Sequence, residues 1–268
     1  MIDPVVDLAT AQRSDRVVFA DVRYYLDGRS GRDAYDAGHI PGAVFVDVDH
    51  DLARHGAPPT EGRHPLPDPE LFATRMSTLG ISDQDLVIGY DDSGGVMAAR
   101  LVWMLRATGH EAALLDGGLS AYPGDLEKDP PRRPPALFTA RPWPAERLAS
   151  IDDADGGGFL VLDARQAERF SGETEPIDPR AGHIPGARNV PCRENVGPDG
   201  RLLPKEDLRE RFAAAGVTDA GDVISYCGSG VTACHNLLAM EHAGLGVGRL
   251  YPGSWSEYSH TDRPAATS

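Results

Sequence analysis

The 268-residue sequence predicts an α/β protein made of two tandem copies of one domain, each a mainly parallel sheet flanked by helices. The hexapeptide Gly-His-Ile-Pro-Gly-Ala occurs at 38–43 and again at 182–187, an offset of 144 residues. After each copy, apolar runs of strand length alternate with helical patterns in the same order. The length itself fits two domains at roughly 150 residues each.

In the first half the strand run VVFADVR (17–23) ends in Asp21-x-Arg23 and leads to the first hexapeptide. A helix pattern follows over PDPELFATRMSTLG (67–80), then a buried-strand run over DLVIGY (85–90). The loop Tyr90-Asp91-Asp92-Ser93-Gly94-Gly95 opens a helix, and LLDGGLSAY (114–122) is a short strand ending in a glycine-rich turn. Residues 124–144 hold six prolines between 130 and 144, which forbids continuous helix or central strand and predicts a stiff surface linker. The domains are therefore expected at 1–140 and 141–268. The second half repeats the order with FLVLDAR (Asp163, Arg165), the second hexapeptide, PKEDLRERFAAAG (204–216), DVISY (222–226), a Gly/Ser loop and RLYPGSWSEY (249–258). From Ala43 to Asp91 the first copy spans 48 residues, against 40 from Ala187 to Cys227, so it carries about eight extra, placed within VDVDHDLARHGAPPTEGRHPLP (46–67). Alternating strands and helices put the ligand site at the carboxyl ends of the parallel strands, where both loops lie.

With 26 Lys plus Arg against 41 Asp plus Glu, the net charge of −15 argues against nucleic acid or anionic lipid as a partner. A small anionic substrate would then need local positive potential from arginines or backbone N–H groups. The start, MIDPVVDLATAQRSDR, has no basic stretch followed by an apolar run, and nowhere do 18 apolar residues run together, so a soluble cytoplasmic protein with no membrane partner is expected. Cys192, Cys227 and Cys234 are too few for a disulfide framework and lack the CxxC spacing of a zinc site.

The chemistry concentrates in Cys227-Gly228-Ser229-Gly230-Val231-Thr232-Ala233, between a strand end and a helix start. Backbone N–H groups of such a small-residue loop, together with the helix dipole, stabilise an anion at its centre, so Cys227 is predicted to be a thiolate nucleophile. At the matching place in the first half stands Asp91, which cannot exchange sulfur or phosphorus as a thiolate does; the first domain is read as catalytically silent.

Both GHIPGA segments, the Asp-x-Arg strand ends, the DGG and GSW turns and the silent first loop resemble the rhodanese superfamily over nearly the whole chain. CGSGVTA resembles the active-site loop of its 3-mercaptopyruvate sulfurtransferases. The thiosulfate-using members look like CRKGVTA, with two cations beside the cysteine; Gly228 and Ser229 stand in their places, and a neutral loop favours a donor whose charge lies away from the transferable sulfur. The resemblance implies two rhodanese-like domains and a Cys227 persulfide that passes sulfane sulfur to a thiol, thioredoxin among the possible acceptors, or to cyanide, with pyruvate released. It implies no metal or organic cofactor. It further implies donor contacts from Arg169, Arg180 and the loop residues Gly228, Gly230, Val231 and Thr232, and a proton-handling set of Ser229, His64 and Asp49, the last two inside the insertion. Arg180 is 11 residues from Arg169, two more than the animal-type pattern.

Donor preference between mercaptopyruvate and thiosulfate stays open, as does a non-catalytic sulfur-carrier or binding module. A phosphatase would want Cys-x5-Arg, and the sixth residue after Cys227 is Ala233. His39, His183 and the Asp-x-Arg pairs occur in both halves and are read as structural; Cys192 and Cys234 are read as packing residues, and Trp255 as a core residue or a wall of the site. A tandem chain of this kind is expected to be a monomer.

Overall fold

The computed structural model describes residues 1–267. The chain divides into two compact units, one of Met1–Ala53, Pro67–Trp143 and Pro198–Leu202, the other of Arg54–Leu66, Pro144–Gly197 and Leu203–Ser268. The change between halves thus falls at Trp143/Pro144, a few residues beyond the expected 140. Thirteen residues of the segment that holds the first half's insertion, 54–66, belong to the second unit.

The first unit is built on β1 (Val5–Val6), β2 (Val17–Asp21), β3 (Val44–Phe45), β4 (Leu86–Tyr90) and β5 (Ala112–Leu115). They form an all-parallel sheet in the order β1-β5-β4-β2-β3. All residues of β4 and β5 are buried, as expected of strands covered on both faces. The second unit repeats the order with β6 (Leu160–Asp163), β7 (Arg188–Asn189), β8 (Val223–Tyr226) and β9 (Arg249–Leu250), arranged β7-β6-β8-β9 and again parallel. A single parallel bridge from Leu148 to Leu250 stands where β1 pairs with β5 in the first unit. Helices Pro69–Thr78 and Lys205–Ala214 match the two predicted patterns.

The duplicated motifs perform duplicated structural jobs. Arg23 Nη2 meets Asp21 Oδ2 at 2.7 Å and donates to Gly38 O at 2.7 Å; Arg165 Nη2 meets Asp163 at 2.6 Å and Gly182 O at 2.7 Å. Each pair ties a strand end to the start of its hexapeptide. His39 stacks on Tyr35 with ring centroids 3.8 Å apart and its Nδ1 lies 2.9 Å from Tyr35 O; His183 does the same with Phe170, at 3.7 and 2.8 Å.

The proline-rich linker has no helix or strand over 128–144 but is fastened within the first unit. Ser77 and Ala136 exchange two hydrogen bonds, Thr139 bonds Asp83, and buried Phe138 stacks on His110 at 4.3 Å and meets Phe72 edge-on. Periodicity cannot foresee such an anchor, because a lone aromatic among prolines has no repeat.

Candidate active site

In the second unit β8 ends at Tyr226 and the helix Ala233–His242 begins seven residues later, with Cys227 buried between them. Gly230 has φ +76°, and a Cβ there would lie 2.5 Å from Pro252 O, so only glycine lets the loop close in this way. Its N–H points at Cys227 Sγ, 3.2 Å away. The segment after β9 braces the loop from behind: Trp255 N–H donates to Cys227 O at 3.0 Å and Ser256 N–H to Gly228 O at 2.8 Å. Ser254, among the described residues the one non-glycine with positive φ, at +54°, accepts from Cys227 N–H at 3.1 Å and donates to Tyr251 O at 2.9 Å. In the first unit the equivalent position is Gly118, also at positive φ.

The first unit shows what this loop does with an anion. Asp91 Oδ1 accepts from the N–H groups of Ser93 and Gly95, both at 2.8 Å, and Oδ2 from those of Met97 at 2.7 Å and Ala98 at 3.0 Å. Four donors converge on one carboxylate, a nest at a strand-to-helix turn.

Segment 54–66 carries two side chains to the Cys227 loop. Gly62, at φ +87°, comes so close to the GSW turn that a Cβ would lie 2.8 Å from Gly253 O, and the N–H of Arg63 donates to Ser256 Oγ at 3.1 Å. His64 then places Nδ1 2.7 Å from Ser229 Oγ, both side chains buried. Asp49 stands on the short helix Val48–Asp51 of the first unit, exposed, with its N–H held by the Asp47 cap.

An alternating row of acids and guanidiniums runs beside the loop. Arg165 links Asp163 to Glu175, Arg169 links Glu175 at 2.6 Å to Asp178 at 3.2 Å, and Arg63 pairs with the other oxygen of Asp178. Burial works against the Glu175 carboxylate, but the hydrogen bonds and charge of Arg169, with N–H groups of Asp178 and Ile177, hold it below its ordinary range. Asp178 goes the other way: burial, helped by the like charge of Glu175, outweighs Arg63 and Arg169 and pushes its carboxyl up. Gly228 faces this row, and a Cβ on it would lie 3.0 Å from Arg63 Nη2 and 3.4 Å from Arg169 Nη1. The loop carries no charge of its own, and two guanidiniums from other segments, each paired with acids of the row, fill the space that a side chain at 228 would take. Charge beside Cys227 therefore cannot be counted from the loop alone.

Arg180 is engaged elsewhere. Its Nε, Nη1 and Nη2 donate to Ser259 O, Arg263 O and Tyr258 O at 3.0, 2.8 and 3.0 Å, bracing the end of the helix Ser254–Tyr258. Trp255 is a core residue, 0% exposed, donating to Arg180 O and covered by the Arg165 guanidinium. Cys234 donates to Gly230 O at 3.4 Å. Cys192 is buried, and desolvation, with Cys227 adding to it, raises its thiol to about 12 and keeps it neutral. Arg63, Asp178, Glu175 and Ser254 were not foreseen from sequence. Ser254 had a signal, a serine where the first half has the second glycine of DGG; Arg63 had only its place beside His64.

Two repeated parallel sheets, each ending in a strand-to-helix loop that closes on a buried group, a carboxylate met by four N–H groups in the first unit and a thiol met by the Gly230 N–H in the second, define a class of tandem α/β proteins. The rhodanese-like domain pattern matches residues 5–124 and 145–261, and the chain belongs to that family. A Pseudomonas aeruginosa protein named "Probable 3-mercaptopyruvate sulfurtransferase" is 41% identical over 97% of this chain and 95% of its own length. A Mycobacterium tuberculosis protein, provisionally named thiosulfate sulfurtransferase SseB, is 38% identical over 92% of this chain and 89% of its own. The structure of a 3-mercaptopyruvate sulfurtransferase from Leishmania major superposes with a TM-score of 0.86 at 33% identity, covering 97% of this chain and 75% of that one.

Proposed function

We propose that this chain is a sulfurtransferase that moves sulfane sulfur from 3-mercaptopyruvate through a Cys227 persulfide to a thiol or cyanide acceptor. The observation that carries the persulfide is Asp91. Its carboxylate oxygens stand the same number of bonds from Cα as the outer sulfur of a cysteine persulfide, and four N–H groups converge on them in the matching loop. The Cys227 loop shares this turn, with Gly94 and Gly230 both at φ +76°, and so supports an outer-sulfur anion.

In the first step the Cys227 thiolate attacks the donor sulfur. The S–S bond forms, the C–S bond breaks, and the electron pair passes to the carbon fragment as an enolate. The thiol proton ends on that carbon, giving pyruvate, and Ser229 with His64, 2.7 Å apart, is the pair suited to carry it. An acceptor thiolate then attacks the outer sulfur and frees Cys227. Arg169 takes part in holding the donor, with the backbone of Gly228, Gly230, Val231 and Thr232 shaping the loop around it. Arg180 is assigned to bracing. The first unit is the silent partner, and small anionic donors and thiols, free or on a carrier protein, are the partners.

Thiosulfate is the second donor the observations favour, since two guanidiniums face Gly228 and the Mycobacterium tuberculosis relative bears that name. Turnover with each donor and cyanide, with Cys227→Ser as the blank, tests the assignment. We expect kcat/KM to favour mercaptopyruvate by about tenfold or more, some 1.4 kcal/mol of transition-state binding. Equal rates in the Cys227→Ser variant would overturn it, and no turnover with either donor would return the chain to a binding module.

A further inference from the structure

We infer that Tyr251 and Glu257, which face each other in the second unit, are positioning residues: together they hold the turn 251–258 in the form that orients the main chain of Cys227 and Gly228 for reaction. This rests on the function proposed above and names side chains that serve it without touching the donor.

The duplication is an internal control: what both units share serves the fold, and what the unit with the nucleophile alone possesses can serve the chemistry. Leu119 N–H donates to Asp91 O at 2.8 Å and Trp255 N–H to Cys227 O at 3.0 Å, so the two turns correspond residue for residue. Leu115 and Ala121 of the first unit then stand where the second has Tyr251 and Glu257. A phenol and a carboxyl replace an apolar pair.

Tyr251 opens the turn. Its N–H donates to Ser225 O at 3.0 Å, its carbonyl accepts from Ser254 Oγ at 2.9 Å, and its side chain is buried. The hydroxyl, which no hydrogen bond of good geometry takes, faces the Glu257 carboxyl. Half-buried Glu257 closes the turn: its N–H donates to Gly253 O at 3.0 Å, and its carboxyl folds back over Gly253, where a Cβ would fall on it. Gly253 has φ −64°, which any residue adopts, so glycine is needed there for room; its counterpart Gly117, at φ +86°, is needed for conformation. Burial pushes the Glu257 carboxyl up, against the pull of Tyr251 and of the Arg263 charge. A phenol and a carboxyl withdrawn from water and imperfectly paired cost stability that Leu and Ala do not, and a local rule broken in one copy of a duplicated fold points to function. Between the two lies the run Ser254–Ser256, whose three hydrogen bonds fix Cys227 and Gly228.

The test uses the full chain and separates reactivity from stability. In Glu257→Ala, alkylation of Cys227 by iodoacetamide, read by mass spectrometry, should slow several-fold, and kcat with mercaptopyruvate and cyanide should fall about tenfold or more while KM stays within about twofold. Glu257→Gln, which keeps the shape of the side chain, should recover part of both losses. The double variant Tyr251→Phe with Glu257→Met removes both polar groups at once and keeps their bulk. Its urea midpoint should match or exceed that of the unmodified chain, with Cys227 as slow as in Glu257→Ala, a divergence that a purely structural pair would not produce. Unchanged alkylation in Glu257→Ala, full reactivity in the double variant, or a loss that appears in KM with kcat intact would overturn the inference. Absence of turnover in the unmodified chain, with alkylation still slowed in the variants, would instead overturn the sulfurtransferase assignment and leave the positioning of Cys227 standing.

Discussion

Replacing Ser254 by glycine and by alanine separates two properties held in one residue. At φ +54° its backbone lies in the left-handed region, which costs an L-residue about 1–2 kcal/mol and glycine almost nothing. Its hydroxyl accepts the N–H of Cys227 at 3.1 Å in a fully buried setting, and loss of that acceptor leaves a buried donor unpaired, at about 1–3 kcal/mol. Ser254→Ala keeps the strain and loses the acceptor. Ser254→Gly loses both, and after allowing about 0.4–1 kcal/mol for the freer unfolded chain it should be about 1 kcal/mol the more stable of the two. In urea, with a slope near 2 kcal/mol per molar, the two midpoints should differ by about half a molar. Sulfur transfer should fall by a similar factor in both, because both free the Cys227 N–H. An alanine variant at least as stable as the glycine variant would refute the strain assignment; full activity in either would refute the positioning role.

Gly230→Ala puts a methyl group against Pro252 O and holds alanine at φ +76°; we expect a loss of about 2–4 kcal/mol and of Cys227 reactivity, measured by denaturation and by alkylation rate. Phe138→Ala should cost roughly 3 kcal/mol because it removes the linker's buried anchor, whereas Leu137→Ala, at a side chain 79% exposed, should stay within about 0.5 kcal/mol in the same melting experiment. His110 is held below its ordinary 6.5, chiefly by burial and also by the Arg141 charge, against the pull of Asp83. The unfolded chain therefore binds this proton more readily, so the contribution to stability is complete above about 6.5 and is lost as pH falls through the folded value. His110→Gln should flatten the stability profile below pH 6.5, and an unchanged slope would count against the burial effect.

The duplication, the strand and helix order and the Cys227 loop were legible because they rest on local patterns: apolar runs, a repeated hexapeptide and small residues at a strand end. The length difference of about eight residues pointed to the insertion, and His64 within it reaches Ser229. What the insertion also carries was not legible, because Arg63 meets Asp178 across 115 residues of sequence and no periodicity reports such a pairing. The guanidiniums beside Gly228 were not legible for the same reason: the loop reads as neutral and is, and the two arginines that border it come from other segments. Arg180 shows the converse, a residue singled out by its motif whose guanidinium is spent on three main-chain carbonyls at the end of a helix.

The most direct measurement is the intact mass of the protein after brief mixing with 3-mercaptopyruvate and removal of excess donor, followed by peptide mapping. The account predicts a gain of one sulfur atom, located on the peptide that contains Cys227, reversed by cyanide and absent in Cys227→Ser. Sulfur found on Cys192 or Cys234 instead, or pyruvate released with no sulfur ever held by the protein, would contradict it.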